Sequence, residues 1–491
     1  MVRRDVVLGV EIAERFAYHG VSANLISYLT GPLGESTAGA AAAINAWSGV
    51  ATMLPLLMAC VADAWLGRYR TIVLASLLFV VSMGMLTVSA LPAFHHDGCS
   101  SYASRSLACS PSPVQVAVFY VSLYLVALAE AGHKPCAQAF GADQFDQNDP
   151  KESVSRSSFF NWWYFGMCSG TAVTTMVSSY IQDNVSWGLG FGIPCLVMVF
   201  ALLMFLLGTR NYRYYTATES SPFARLARAF VALVKGSKSS EYDGTLASDD
   251  AGHREEVKGV LRLFPIWATC IIYAVIFSQS STFFTKQAAT LDRRIGPALR
   301  VPPAALQTFI SVTIMVFIPV YDRAFVPPGA AAHAPVVRHH HAAADRHGAR
   351  PGPGRHGRGG AGGDAAARRG EGRRARGPAQ GGAADEPVVD GAAEFFYDQV
   401  PDALRSLGLA FFLSIFGVGH LFSSFIISAI HGATKKSGAS WFSNNLNHAH
   451  LDYFYWLLAG LCAVELAAFV IVSRVYVYKK RVSHNNNDAV M

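Results

Sequence analysis

"TIVLASLLFVVSMGMLTVSALPAF", residues 71–94, runs without a single charged side chain. About 20 apolar residues in a helix span the hydrocarbon core of a bilayer. Comparable stretches recur along the 491-residue chain, which is 52% hydrophobic and only 15% charged. The reading is an all-α, multi-pass membrane protein. Apolar windows set against loop punctuation place spans near 6–32, 40–65, 71–93, 113–140, 157–181 and 187–208, then 263–286, 303–326, 405–430 and 451–477.

The remaining bulk features fit that class. The net charge is +7, but residues 329–391 hold ten Arg, no Lys and six acids, so more than half the excess sits in one odd segment. A nucleic-acid partner is not implied. Cys60, Cys136, Cys168, Cys195, Cys270 and Cys462 fall in or beside spans, where cysteine acts as a small hydrophobe. Cys99 and Cys109 share one polar loop, in which a disulfide forms only if that loop lies outside the cytoplasm. Glu11, Glu14 and Arg15 interrupt any cleavable leader, leaving the first span to direct targeting.

Positive charge orients the spans. Arg68 and Arg70 follow the second span, and Arg210, Arg213, Arg225, Arg228, Lys235 and Lys238 follow the sixth. Both termini are therefore expected in the cytoplasm, of a plasma-membrane or vacuolar-membrane protein. Within 209–262, "SPFARLARAFVALVKG" suits either an amphipathic helix on the inner leaflet or a solvated linker helix. Two helical sets joined by a long cytoplasmic connector, with "ADAWLGRYR" after the second span, resemble the major facilitator fold. The resemblance gives Asp63, Gly67, Arg68 and Arg70 a gating or structural role at a tight cytoplasmic turn. "VYDRAF", with Asp322 and Arg323, is a weaker echo in the second half.

Ionisable groups inside the bilayer need a reason, because each costs about 2.5–3.5 kcal/mol on insertion scales. Glu11, Glu14 and Arg15 recur at i, i+3 and i+4, which puts them on one helix face. An arginine between two carboxylates can hold one ionised and leave the other free to take a proton. A purely structural ion pair fits those residues equally well. In the fourth span, "ALAEAGHKPCAQAFGADQFD" adds Glu130, His133 and Lys134 just before Pro135. The proline loosens the helix and would turn Lys134 toward a central cavity, with the first-span glutamates as partners.

"EIAERF", "AGHKPCAQAFGADQFD", "FFNWWYFG" and "EFFYDQVPDALRS" resemble the proton-dependent oligopeptide transporter family, in its plant nitrate/peptide branch. The similarity covers about residues 6–328 and 394–478. It implies proton coupling through Glu11, Glu14, Arg15 and Lys134, and a substrate cavity lined by Tyr18, Asn161, Gln279 and Glu394. His19 stands where a second tyrosine is usual. Phe277 matches the position at which nitrate carriers can hold a histidine, which weakens that one route to nitrate. No enzyme activity, metal or other cofactor is implied. The expected partners are a small solute, protons and the lipid bilayer.

The expected organisation is an N-terminal bundle over 1–208, a linker over 209–262 and two helices of a C-terminal bundle over 263–327. The last helices follow over 394–478, with a cytoplasmic tail over 479–491. Residues 328–393 interrupt this order with Gly, Ala, Arg, Pro and His. They replace a ninth and most of a tenth span, leaving about ten of an expected twelve. "HHH" at 339–341 lacks partners at metal-ligand spacing, and the composition buries too little to order itself. Shifted by one base, synonymous codons for residues 339–363 read ITMLQRIGTGLVLALVAMVVAALVE, and those for 384–392 read PMSLWWMVP. The first looks like a membrane span and the second like the start of the tenth, which favours a reading-frame error over an evolved loop. The expectation is a proton-coupled symporter of nitrate, short peptides or another small organic solute. The alternative is a non-transporting sensor or inactive remnant that lacks two spans.

Overall fold

The computed structural model describes residues 2–91, 111–145, 150–214, 261–297, 299–310, 312–313, 395–396, 405–435 and 440–476, with backbone alone at 2–5, 60, 63–64, 150–165, 299, 405–407, 409 and 447. The first half consists of α1 (Val2–Ser22), α2 (Leu25–Thr30), α3 (Thr37–Val61), α4 (Arg68–Ser89), α5 (Pro113–Asp143), α6 (Pro150–Asn184) and α7 (Trp187–Leu207). The second half holds α8 (Leu261–Thr269), α9 (Ile271–Phe277), α10 (Phe283–Ala288), α11 (Arg405–Lys435) and α12 (Leu451–Val475). Between α10 and α11 a small hairpin pairs β1 (Arg294–Ile295) with β2 (Leu299–Arg300).

Local chemistry sets several of the boundaries. Ser36 and Ser112 cap α3 and α5 by accepting from Gly39 N and Gln115 N at 3.1 Å each, which satisfies backbone donors that the first helical turn leaves open. Pro113 occupies the first position of α5, where its missing N–H costs nothing. Gly67, with φ at 75°, separates α4 from a short π-helix over Ala62–Leu66. That backbone conformation is costly for any residue with a Cβ, so the tight turn expected at Gly67 has a physical basis.

Among the described residues, six helical stretches are long and apolar enough to cross a membrane: Thr37–Ala59, Arg68–Ser89, Pro113–Asp143, Trp187–Leu207, Ala410–Lys435 and Leu451–Val475. The pair Leu261–Thr269 and Ile271–Ala288, bent by 41°, makes a further one. α1 and α6 match the first and fifth expected spans but carry more polar side chains. The span expected at 303–326 lies mostly outside the described residues, as do 328–393 and all but the ends of 209–262.

Two spans read as continuous are broken. The first stops at Ser22 and resumes at Leu25. The stretch 263–286 breaks at Cys270 and again over Ser278–Thr282. In the latter, Ser278 Oγ and Gln279 Nε2 donate to Val275 O at 2.7 Å, and Ser280 Oγ donates to Phe277 O at 2.9 Å. Side chains that bond back to the preceding turn compete with the helical ladder, and "SQSST" supplies them in a row. At the Cys270 break, Glu465 of α12 accepts from Tyr273 N at 3.2 Å. It thereby occupies a backbone donor at the start of α9.

The halves meet along α3 and α11. Gly49 brings α3 so near α11 that a Cβ there would stand 2.7 Å from Leu421 Cγ and 3.0 Å from Gly417 O. Across the same seam Asn45 Nδ2 donates to Ser423 Oγ at 2.9 Å, and Ser424 Oγ donates to Ala42 O at 2.8 Å. Small residues at the contact and hydroxyls across it are the usual means of helix association in lipid.

One end of the molecule is tied across the halves as well. Lys286 Nζ donates to Thr30 Oγ1 at 2.6 Å, Gln307 Nε2 to Ala23 O at 3.0 Å, and Thr37 N to Asn444 Oδ1 at 2.9 Å. Within the first half at that end, Asn24 Nδ2 donates to Asp183 Oδ1 at 2.8 Å. The opposite end carries Arg68, whose Nη1 donates to Asp143 Oδ1 at 2.8 Å.

Candidate functional site

The i, i+3, i+4 spacing of Glu11, Glu14 and Arg15 faces α5. There Arg15 Nη1 donates to Glu130 Oε1 at 3.0 Å. Arg15 Nε lies 3.2 Å from Glu14 Oε2, and its Nη2 lies 3.8 Å from Glu11 Oε1. Lys134 Nζ lies 3.8 Å from Glu130 Oε1, one turn along the same helix, and His133 Nδ1 lies 3.7 Å from Glu11 Oε2. Glu11, Glu14, Arg15, Glu130 and His133 are all buried, whereas the Lys134 side chain remains 27% exposed.

Sequence spacing therefore brings the expected proton-coupling residues together, with one change in wiring. The cations reach the first-span glutamates through Arg15, while Lys134 rests on Glu130 in its own helix. α5 runs on through Pro135, and Lys134 is the most exposed member of the cluster. Glu130 was visible as an intramembrane acid one turn before Lys134, and that i, i+4 relation was the signal that it joins the site.

The cluster is tightly bedded. A Cβ on Gly132 would come within 3.2 Å of Ala75 Cβ on α4, and one on Gly166 within 3.2 Å of Ile12 Cδ1. Phe79 meets the His133 ring edge-on at 6.4 Å. Such packing buries Arg15 with its three glutamates, so those pairings act at low dielectric. Removing one member of a buried pair costs about 3–5 kcal/mol because the other is left uncompensated. Glu11, Glu14 and His133 each offer a ligand atom within 4.8 Å of one another. Arg15 already stands among these carboxylates as their cation, so the donor set fits a guanidinium better than a metal ion.

The expected substrate residues are more scattered. Tyr18 stacks on Trp47 at 5.5 Å and meets His19 edge-on at the same distance, one turn beyond Arg15. Gln279 is wholly buried. Its amide nitrogen donates to Val275 O at 2.7 Å and to Ser278 Oγ and Ser423 Oγ at 2.9 Å each. In this conformation it belongs to the polar seam between the halves. Phe277 packs edge-on against Phe416 at 5.7 Å. Asn161 lies in α6 and Asp63 in the short π-helix, both with side chains outside the described residues. Glu394, Cys99 and Cys109 also lie outside them. Arg68 and Arg70 line a pocket of about 390 Å³ with Gly67, Tyr69, Asp143 and Tyr214.

Comparison with known proteins places this geometry. The sequence profile of the PTR2 group, the POT family, matches residues 69–336. The Arabidopsis thaliana protein NRT1/PTR FAMILY 5.10 is 48% identical over 530 aligned positions, covering 96% of this chain and 92% of its own length. NRT1/PTR FAMILY 5.13 of the same plant is 42% identical, with 96% and 92% covered. Among solved structures, the POT family transporter PepTSo aligns with a TM-score of 0.68 at 19% identity, covering 96% of this chain and 98% of the other. An auto-inhibited POT family peptide transporter aligns with a TM-score of 0.66 at 19% identity, with 98% of each chain covered.

Proposed function

Because this chain belongs to the POT family of transporters, we propose that it is a proton-coupled symporter working by alternating access between its two halves. Its cargo on this reading is nitrate, a di- or tripeptide or another small organic solute. The observation that carries the proposal is the buried meeting of Glu11, Glu14, Arg15, Glu130 and Lys134 on α1 and α5. Protonating a first-span carboxylate weakens its hold on Arg15. Arg15 and Lys134 then become available to a carboxylate or an anion in the cavity. Discharge of the proton restores the pairing and biases the halves toward the other orientation.

The substrate-side roles of Tyr18, Asn161, Gln279 and Glu394 are part of the same proposal, as are the gating roles of Asp63, Gly67, Arg68, Arg70 and Pro135. For Gln279 to meet a solute, its bonds to Ser278 and Ser423 must open, which ties solute binding to the seam between the halves. The Arg-rich end, with both termini, would face the cytoplasm of a plasma or vacuolar membrane.

Residues 328–393 are read as a frame-shifted stretch that stands in place of two spans. The family profile ends at residue 336, and the alignment with NRT1/PTR FAMILY 5.10 runs over 530 positions, more than the 491 residues of this chain. Sequencing the transcript across codons 325–400 tests this, and a span-encoding alternative frame is the expected result.

The functional test is uptake of nitrate and of a dipeptide in oocytes or proteoliposomes with an inward proton gradient. Gradient-driven uptake is expected, and Glu14→Gln should abolish it. Uptake that is equal in Glu14→Gln and the unaltered chain would exclude coupling through this cluster. If neither solute nor any other moves, the chain as written is a non-transporting form.

A further inference from the structure

Helical spacing gives α1 two faces. Glu11, Glu14 and Arg15 occupy one of them, where Arg15 reaches Glu130 of α5. Val6, Gly9, Ala13 and Phe16 recur at intervals of three and four residues on the opposite one. That second face looks onto α7, and between the two helices lies a groove of about 520 Å³ whose lining is wholly apolar. Phe200 and Met204 form part of its α7 wall. A Cβ on Gly9 would meet nothing within 4 Å, so α1 is bare where the groove passes it. α7 in turn exposes Leu196, Phe200, Leu203 and Leu207, a stripe at helical spacing. The groove therefore opens at the edge of the bundle that faces lipid.

Its length and its charged end select an occupant. From Val6 to Phe16 the helix axis advances about 15 Å. That is half of a hydrocarbon core roughly 30 Å thick, the depth of one leaflet. At one end the groove runs out where α1 begins and α7 stops. Arg3 and Arg4, with Asp5, stand in the first turn of α1. Arg210 is exposed in the turn that follows α7. A slot one leaflet deep, apolar throughout and with arginines gathered at its membrane-surface end, matches an acyl chain below an anionic headgroup.

We propose that this groove holds one acyl chain of an anionic glycerophospholipid from the surrounding bilayer, with the lipid phosphate at Arg210. The site goes beyond the transport reading and does not depend on which solute the chain carries.

Native mass spectrometry of the full chain in detergent tests this, with phosphatidylglycerol and phosphatidylcholine of identical acyl chains as the probes. The unaltered chain should retain one phosphatidylglycerol. It should prefer that lipid over phosphatidylcholine by about fivefold, the factor expected of one arginine near an anionic surface. Gly9→Phe fills the groove from the helix side and should remove the retained lipid. Arg210→Gln should still retain a lipid but should bind the two headgroups alike. A phosphatidylglycerol with a diazirine in its acyl chain should label peptides that contain residues 6–16 and 197–204.

Retention that Gly9→Phe leaves unchanged, or label found elsewhere in the chain, overturns the groove as the site. Equal binding of both lipids by the unaltered chain overturns the anionic headgroup. A preference that survives Arg210→Gln overturns the placing of the phosphate. No retained lipid would leave the groove to residues 221–236 of the same chain or to nothing, and a retained second copy would give it to protein. Either result overturns the proposal. Should Gly9→Phe not fold, the labelling of the unaltered chain carries the decision.

Discussion

Two buried polar regions hold this protein together, and they are built on opposite plans. The cluster between α1 and α5 is ionic, with three acids, two cations and a histidine packed inside one half. The seam between α3 and α11 joins the two halves with neutral groups, Asn45, Ser423, Ser278 and Gln279, around Gly49 and Gly417. On the proposed alternating access, the α3–α11 contact would have to shear, and it is made of hydroxyls and amides, which exchange partners at a cost of about 1 kcal/mol each. A charge stranded by the same motion would cost several times more.

Breaking the ionic region should give the largest effect. Arg15→Gln leaves Glu11, Glu14 and Glu130 facing one another without their shared cation, and about 3–5 kcal/mol of stability should be lost. Thermal unfolding in detergent would read this, with uptake abolished. The loss should shrink as the pH falls, because protonation relieves the uncompensated acids. A pH-independent loss would mean that the cluster is held by packing alone.

The seam should respond more mildly and without that pH dependence. Gly417→Val puts a branched side chain where even a Cβ would lie 2.6 Å from Met53 Cγ. Overpacking of this kind costs about 1–3 kcal/mol and should slow uptake by forcing α3 and α11 apart. Ser423→Ala removes the common partner of Asn45, Ser278 and Gln279. A loss of about 1–2 kcal/mol is expected, with the pH profile of uptake unchanged. If Ser423→Ala shifted that profile, the separation between the two regions would fail.

The smallest effect belongs to the rim. Burial pushes the Asp183 carboxyl up from its ordinary value, against the opposing pull of the Asn24 hydrogen bond and of Arg293 and Arg300. A carboxyl raised in the folded state costs stability as the pH climbs from its unfolded to its folded value. Asp183→Asn should therefore flatten a slight fall in melting temperature across mildly acidic pH. A steeper fall in the variant would reverse that sign.

Much of this was legible in the sequence, for reasons that differ by region. Residues 71–94 could only be a span. The face shared by Glu11, Glu14 and Arg15 follows from helical geometry, as does the turn at Gly67. The fold class stands on the helices and on the POT structures that share their arrangement. Other features were not readable from spacing. That Lys134 rests on Glu130 rather than on α1 depends on the register between two helices 115 residues apart at Arg15 and Glu130. Gln279 reads as a cavity residue from its motif, yet it is occupied by serines, one of them 144 residues away in α11. The broken seventh span gives only a faint sign, a run of hydroxyl residues whose effect depends on which carbonyls they meet.

The carboxylate of Glu465 has a mechanical consequence. A break in a transmembrane helix frees backbone amides that must find partners elsewhere, because lipid offers none. Here a side chain from α12 clasps the elbow between α8 and α9, so straightening that joint must first pull α12 away. The bend of 261–288 and the seat of α12 are thus linked, since a straight segment would leave Glu465 without that amide.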